Sequence, residues 1–410
     1  MKALPLSFCE DPHTRAYTKL PRVSRHTLKV HIFAIMKKLE ALIRANLPHA
    51  FGLVFDGWTT SGVHYVGLFA VFPPTDAILA GRVLLTFSPM EDESDLGAQS
   101  LSNFLADTLS EFDRPWSCVL FVVGDNCSVN QYLGDRGGIP FIGCASHRYN
   151  LAVQLFLEDD SDLVNKANKL MLKLSTVKGR ACLDSVTGVH PKIKNETRWS
   201  STMKMLKRCD DLIPALRQMS TKNAVKCGVD KLMLSATEAM ELSKLVKVLT
   251  KLDSVTIALQ DEELTTLQVR DLFDHTIAKY PIMRKYLSAN AASINKAPFE
   301  RALVKLQSGR KLTPVEREAS AMLLAPAVEE TSLSEEDSES EETFAQQALK
   351  RRRLAGPADI YIDTGFVPPT SNICERLFSQ SNLVLSDQRR ALRPATLEML
   401  VFLRANRDLW

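Results

Sequence analysis

An α/β fold built around one mixed sheet is what this sequence predicts, and three observations carry it. Three short apolar runs follow one another with short gaps between residues 51 and 87. A β-branched and aromatic run, Val119–Val123, is bounded by polar residues, the pattern of a strand buried on both faces. A long, almost wholly helical stretch over residues 158–320 is too large for a connection inside a sheet, so it belongs to an inserted or appended domain.

Composition bounds the rest. With 410 residues and 45% hydrophobic content, the chain has enough material for two or three folded units with real cores. No apolar run approaches the length of a membrane span, so no membrane partner is expected. The opening Met1-Lys2-Ala3-Leu4-Pro5 lacks the apolar stretch of a secretory signal. The eight cysteines include no Cys-x-x-Cys pair, which argues against a disulfide framework or zinc ribbon and for a reducing compartment, cytosol or nucleus. The formal net charge of +3 hides an asymmetry. Glu329–Glu342 holds eight acids and no base, and setting those eight apart raises the remainder from +3 to +11. That is a modest footprint for a polyanion partner, and a solubilising tail inserted in a loop explains it equally well.

Taken in order, residues 1–50 form an N-terminal segment. Pro5, Pro12 and Pro21 keep its start irregular. Ser24–Asn46 then carries Leu28, Ile32, Ile35, Met36, Leu39, Leu42 and Ile43 at helical spacing, and Pro48 ends the run. Residues 51–157 hold the sheet. Phe51–Phe55, Tyr65–Phe72 and Ile78–Phe87 read as strands joined by hairpins. Asp95–Phe112 is helical, Val119–Val123 is the fourth strand, and a short helix near Ser128–Leu133 follows. Gly137-Gly138 turns the chain into Ile139–Ile142, and Ser146–Leu157 is helical. The order β-β-β-α-β-α-β-α is the layout of a ribonuclease H-like mixed sheet.

Residues 158–312 form the helical insertion, with helices expected at Leu163–Ser175, Ser201–Met219, Ser235–Gln260 and Leu264–Ala278. Residues 313–358 read as an acidic, Ser-rich, disordered linker ending near Lys350-Arg351-Arg352-Arg353, either a nuclear import signal or a solvated charge cluster. Residues 359–410 hold an extended piece and two helices, Asn372–Leu385 and Pro394–Leu409. The last presents Leu397, Leu400, Val401 and Leu403 on one apolar face, as a docking surface would.

Two carboxylates stand at strand ends. Asp56 closes the first strand and Asp125 follows the fourth; in the expected sheet these strands are neighbours. Two close carboxylates do not both ionise comfortably without a cation between them. Mg²⁺ takes hard oxygen ligands of this kind, and two ions roughly 3.5–4 Å apart can clamp the attacking and leaving oxygens of a phosphodiester. The competing reading is two unrelated turn aspartates. Glu375 is a third candidate, because on its helix it lies opposite Ile373, Leu377 and Val384, with Ser379 and Asn382. Its competing role is to close a capping box with Asn372.

Five stretches then share a resemblance. They are Phe55-Asp56-Gly57-Trp58-Thr59, Gly124-Asp125-Asn126-Cys127-Ser128-Val129-Asn130, Gly143-Cys144-Ala145-Ser146-His147-Arg148-Tyr149-Asn150-Leu151, Thr197-Arg198-Trp199-Ser200-Ser201, and Ser371–Trp410 with Cys374-Glu375-Arg376-Leu377-Phe378-Ser379. Together, and in this order, they resemble the blocks of hAT superfamily transposases. The resemblance implies a ribonuclease H-like catalytic domain with a large all-α insertion and a C-terminal helical dimerisation segment. It implies that Asp56, Asp125 and Glu375 hold two Mg²⁺ or Mn²⁺ ions for DNA strand cleavage and transfer, with no small-molecule cofactor. It places His147, Arg198, Trp199 and Arg376 on DNA, Trp199 as a stacking platform for an unpaired base. It assigns Leu397, Leu400, Val401 and Leu403 to a homodimer or higher oligomer, and the protein to the nucleus. Cys144 and His147 are either an incomplete metal site or a buried thiol and a helix-start imidazole. The chain departs from the family in lacking an N-terminal zinc finger: Cys9, His13 and His26 are too few ligands at the wrong spacing. It reads as a shortened copy, so a catalytically inactive, transposon-derived DNA-binding and dimerisation protein is the alternative.

Overall fold

A computed structural model describes residues 5–18, 22–90, 97–127, 129–130, 138–195, 199–325, 361–385 and 392–410. Arg198, the acidic run Glu329–Glu342 and the basic tetrad Lys350–Arg353 lie outside the described residues. So does most of the short helix expected near Ser128–Leu133.

The fold is mixed α/β. Five strands form one sheet: β1 (Phe51–Thr60), β2 (Val63–Val71), β3 (Arg82–Pro89), β4 (Val119–Gly124) and β5 (Phe141–Gly143), in the order β3-β2-β1-β4-β5. β2 pairs antiparallel with both β1 and β3, while β4 pairs parallel with β1 and β5 parallel with β4. β4, paired on both sides, is buried along its whole length.

The chain divides into two compact units. One comprises residues 1–144, 262–270 and 292–410, and contains the sheet; the other comprises 145–261 and 271–291. In the sheet unit, α1 (Arg25–Asn46) starts at Ser24, whose hydroxyl accepts the Thr27 N–H at 3.0 Å, and stops before Pro48. α2 (Ala98–Glu111) buries Leu101, Leu105 and Leu109 at helical spacing. In the helical unit, α3 (Ala145–Phe156) is followed by α4 (Ser161–Ser175), α5 (Trp199–Gln218) and α6 (Ala236–Ala258). A capping box closes the start of α6, with Ser235 and Glu238 each accepting the other's backbone N–H. Back in the sheet unit are α7 (Ala297–Gln307), α8 (Pro314–Ala319), α9 (Asn372–Val384) and α10 (Pro394–Ala405).

Three expectations need correction. The first strand does not end at Phe55. Ser61 and Gly62 both take positive φ, 51° and 81°, and this tight hairpin carries the ladder on to the Thr60–Val63 pair. Asp56 therefore sits inside β1, opposite Gly67. The third strand starts late, at Arg82, because Gly81 turns the chain with φ +61°, where a Cβ would come within 2.6 Å of the Phe72 carbonyl. The segment expected to be a linker from residue 313 begins folded. Thr313 and Glu316 form a capping box on α8, and buried Glu316 meets Lys305 at 2.7 Å and Arg301 at 3.4 Å.

The C-terminal face corrects a further expectation. Leu397, Val401 and Leu403 are buried in the chain's own core, with Leu400 packed against it. α10 lies on β3 and α1, so this face is satisfied within the chain rather than offered to a second copy. Asn406 completes the contact. Its amide accepts the Leu84 N–H at 2.9 Å and donates to the Leu84 carbonyl at 3.0 Å. This side chain thereby pairs backbone groups on edge strand β3 that would otherwise invite another strand.

Two predictions follow from this packing. Leu397→Ala should lower stability by about 2–5 kcal/mol, as a buried leucine cavity does. The denaturation midpoint should fall by the same amount at every protein concentration, whereas a dimer contact would give a concentration-dependent loss. The Glu316 carboxyl supplies the second. Burial alone would raise its pKa, but the Lys305 hydrogen bond and the Thr313 cap hold it at about 2, below the ordinary 4.5. Its contribution is therefore present above pH ~4.5 and lost as pH falls toward about 2. Glu316→Gln should cost roughly 1–3 kcal/mol at pH 7, and the gap from the parent in urea melts should close as pH drops through that window.

Candidate active site

The sheet register places the two aspartates. Val54 of β1 pairs with Val123 of β4 in the parallel ladder. Asp56, inside β1, and Asp125, one residue past the end of β4, each lie two residues beyond these partners. Both line one cavity of about 250 Å³, together with Phe55, His64, Cys127 and Asn130. Open α/β sheets gather ligands in this place, the crevice at the carboxyl ends of parallel strands.

Local hydrogen bonds orient the carboxylates. Asp56 Oδ1 accepts its neighbour's Gly57 N–H at 2.8 Å. Asp125 Oδ1 accepts from the Asn130 amide and, at 3.4 Å, from the Cys127 N–H. The Asn130 amide also reaches the Asp125 carbonyl at 3.2 Å, so one side chain braces both the carboxylate and the loop that carries it. Gly143 on β5 is needed alongside, since a Cβ there would stand 1.5 Å from Asn126 Oδ1. His64 bonds Thr59 Oγ1 through Nδ1 at 2.8 Å and covers Gly57. Desolvation above all, with the nearby Asp125 charge, pushes the Cys127 thiol up to about 11, so at neutral pH it is no thiolate nucleophile.

Glu375 approaches from α9. Alternation along β1 puts Val54, Asp56 and Trp58 on one face. Trp58 stacks on Phe378 of α9, with ring centroids 5.8 Å apart and planes 12° apart, so Asp56 belongs to the face that α9 covers. The start of α9 is tied down twice. The Ser371 N–H donates to the Cys144 sulfur at 3.3 Å, and the Cys374 thiol lies 3.6 Å from the Gly67 carbonyl and 3.8 Å from that of Val54. Burial first, then the charges of Asp56 and Glu375 among others, hold the Cys374 thiol well above its ordinary pKa, which places both carboxylates near it. The capping-box role for Glu375 is not realised. Ser371, not Asn372, is the N-cap residue, and it makes no side-chain cap bond.

The three carboxylates are nonetheless not drawn into one cluster. The cavity is walled by Phe55, Gly57, His64 and Val66, residues on the opposite face of the sheet, so it reaches the aspartates from the α2 side and Glu375 does not line it. Among the described residues, no group of three His, Cys, Asp or Glu side chains is placed to hold a metal ion. The donor set suits a hard divalent cation through Asp56 and Asp125, which offer carboxylate oxygens without competing thiolate.

The remaining candidate residues fare differently. Arg376 meets Glu262 at 3.0 Å. Cys144 is a buried thiol in a hydrogen bond, as its second reading had it. His147 is half-buried on α3 in the helical unit. Trp199 is only 3% exposed; it opens α5, its N–H bonds Asn150 at 3.0 Å, and its ring packs edge-on against Tyr149 at 6.5 Å. Its faces are core surface, which corrects the stacking-platform expectation. Arg148, beside His147, gave no signal in the sequence. It is 5% exposed, bonds the carbonyls of Tyr286 and Ser288 at 3.2 Å, and lies over the Phe273 ring. No protein-family model matches the chain, and no curated protein matches it.

Gly143→Ala should force Asn126 aside and loosen the Asp125 loop. A loss of about 1–3 kcal/mol is expected in chemical denaturation, the usual cost of overpacking; an unchanged midpoint would contradict the contact.

Proposed function

We propose that the chain is a DDE-type, hAT-like DNA transposase, cleaving and joining DNA strands at the Asp56–Asp125 crevice. The observation that supports this most is that Asp56 and Asp125, each two residues past the paired Val54 and Val123 of adjacent parallel strands, line one cavity. The sheet order β3-β2-β1-β4-β5, with its first three strands antiparallel and the others parallel, supports the ribonuclease H-like part of the reading. Glu375, in the first turn of α9, is the third member proposed.

In this reading Asp56 and Asp125, joined by Glu375 when DNA is bound, hold Mg²⁺ or Mn²⁺. The ions, when bound, supply water activation and stabilisation of the leaving 3′-oxygen. Asn130 bonds the Asp125 carboxylate and so limits the rotamers it samples at the crevice. Cys374 and Gly67 seat α9 on the sheet and so set how closely Glu375 approaches. The nucleus follows as the compartment of a DNA substrate. Among the described residues, no helix is long and apolar enough to cross a membrane.

A second reading has its own support. The absence of a three-ligand group among the described residues favours a transposon-derived protein that binds DNA without cutting it. Incubation of a labelled duplex with Mg²⁺ or Mn²⁺ separates the two. Nicking by the parent protein, reduced to background by Asp56→Ala, Asp125→Ala or Glu375→Ala, is the expected outcome, with Asn130→Ala weakening Mn²⁺ binding by roughly 10–100-fold. If parent and Asp125→Ala bind DNA alike and both leave it intact, the non-catalytic reading stands.

A further inference from the structure

A second concave site lies on the sheet unit, away from the aspartate crevice. It has a volume of about 240 Å³ and is lined by Arg82, Arg376, Arg404 and Arg407, against only two carboxylates, Glu262 and Asp408. These arginines come from the start of β3, from α9, and from the end of α10 and the turn beyond it. All are carried by packed elements rather than by a long loop, so the charges are held in place.

The charges do not balance within the site. Glu262 bridges two of the guanidinium groups, meeting Arg82 at 2.6 Å and Arg376 at 3.0 Å. Arg407 meets Asp408 at 3.4 Å, both about three-quarters exposed. Arg404 lines the same cavity with no ion-pair or hydrogen-bond partner among the described residues. Four positive charges set against two negative ones around one hollow leave it net positive, and an incoming anion relieves the residual repulsion. Guanidinium forks match the paired oxygens of a phosphate, which favours it over a smaller anion. Glu262 already occupies the place such an anion would take, as a carboxylate resting on two of the forks.

We propose that this arginine cleft binds the phosphodiester backbone of a DNA strand, with Glu262 as an internal competitor for the bound phosphate. The choice of DNA as occupant rests on the proposed function, whereas the affinity for phosphate rests on the cleft alone. Contacts of this kind position a nucleic acid without reading its sequence.

The test is DNA binding in EDTA by full-length protein carrying Asp125→Ala, so that cleavage plays no part. The probe is a fluorescein-labelled duplex of about 30 base pairs, titrated at several NaCl concentrations. Arg404→Ala should weaken binding several-fold for unrelated sequences alike and reduce the slope of log K against log[NaCl] by about 0.9. Glu262→Gln should tighten binding by about threefold or more, since it frees Arg82 and Arg376; a misfolded variant would not gain affinity. An unchanged slope in Arg404→Ala, or unchanged or weaker binding in Glu262→Gln, would overturn the proposal. Thermal stabilisation by inorganic phosphate with no effect of Arg404→Ala on DNA binding would overturn DNA as the occupant. A protein that binds DNA through this cleft and never nicks it refutes the cleavage reading alone. One that nicks while Arg404→Ala leaves the slope untouched refutes the cleft alone.

Discussion

The seat of α9 on the sheet is the constraint on which the rest of the sheet unit depends. Gly67 eases it: a Cβ there would stand 3.2 Å from Leu377 and Phe378, which would have to give by a few tenths of an ångström. Without that side chain the helix settles onto β1 and β2, the Cys374 thiol reaches two strand carbonyls, and Phe378 stacks on Trp58. Sulfur hydrogen bonds of this length are weak. What fixes the helix is the close-packed aromatic layer of Trp58, Tyr65, Phe87 and Phe378 around them. Because Arg376 and Glu375 flank these contacts in sequence, one docking event sets both the approach of Glu375 to the aspartates and the place of Arg376 in the arginine cleft. The two sites are thus coupled through a single rigid element, although they open in different directions.

The C-terminal helix extends the same logic. α10 packs on β3, α1 and α9, and Asn406 pairs with Leu84 on an edge strand. An apolar helix face and an open strand edge are each a liability in solution. Here they cancel within one chain, which leaves no reason of surface chemistry for this face to recruit a second copy. The arginines that follow, Arg404 and Arg407, are then presented on the outer side of a helix whose inner side is fully committed.

How much of this was legible in the sequence varies with distance along the chain. The helices and buried strands announced themselves through local periodicity. The adjacency of Asp56 and Asp125 followed from strand order, because a parallel ladder brings equivalent positions together. The extension of β1 past Asp56 was written in Ser61-Gly62, a hairpin signal that the apolar run hid because Asp56 and Thr59 interrupt it. Thr313-x-x-Glu316 likewise marks a helix start inside a stretch whose acidity suggested a linker. Trp199 was not decidable from its neighbours, since an indole suits a buried seam and an exposed platform equally well. The partner of the Leu397 face was out of reach too. Periodicity shows that a face is apolar but says nothing of what covers it, and its cover, β3 and α1, lies more than 300 residues away.

The position of Glu375 is the most informative mismatch between motif and geometry. Sheet alternation separates the two sides of β1, so the hollow that reaches Asp56 from His64 and Val66 is on the side away from α9. Asp56 itself lies on the face that α9 covers, so a carboxylate on α9 approaches it from the side opposite that hollow. Two tethers hold α9 there: Ser371 on Cys144, just past β5, and Cys374 on the carbonyls of Val54 and Gly67. Like charges repel at close range, so drawing three carboxylates together calls for compensating positive charge.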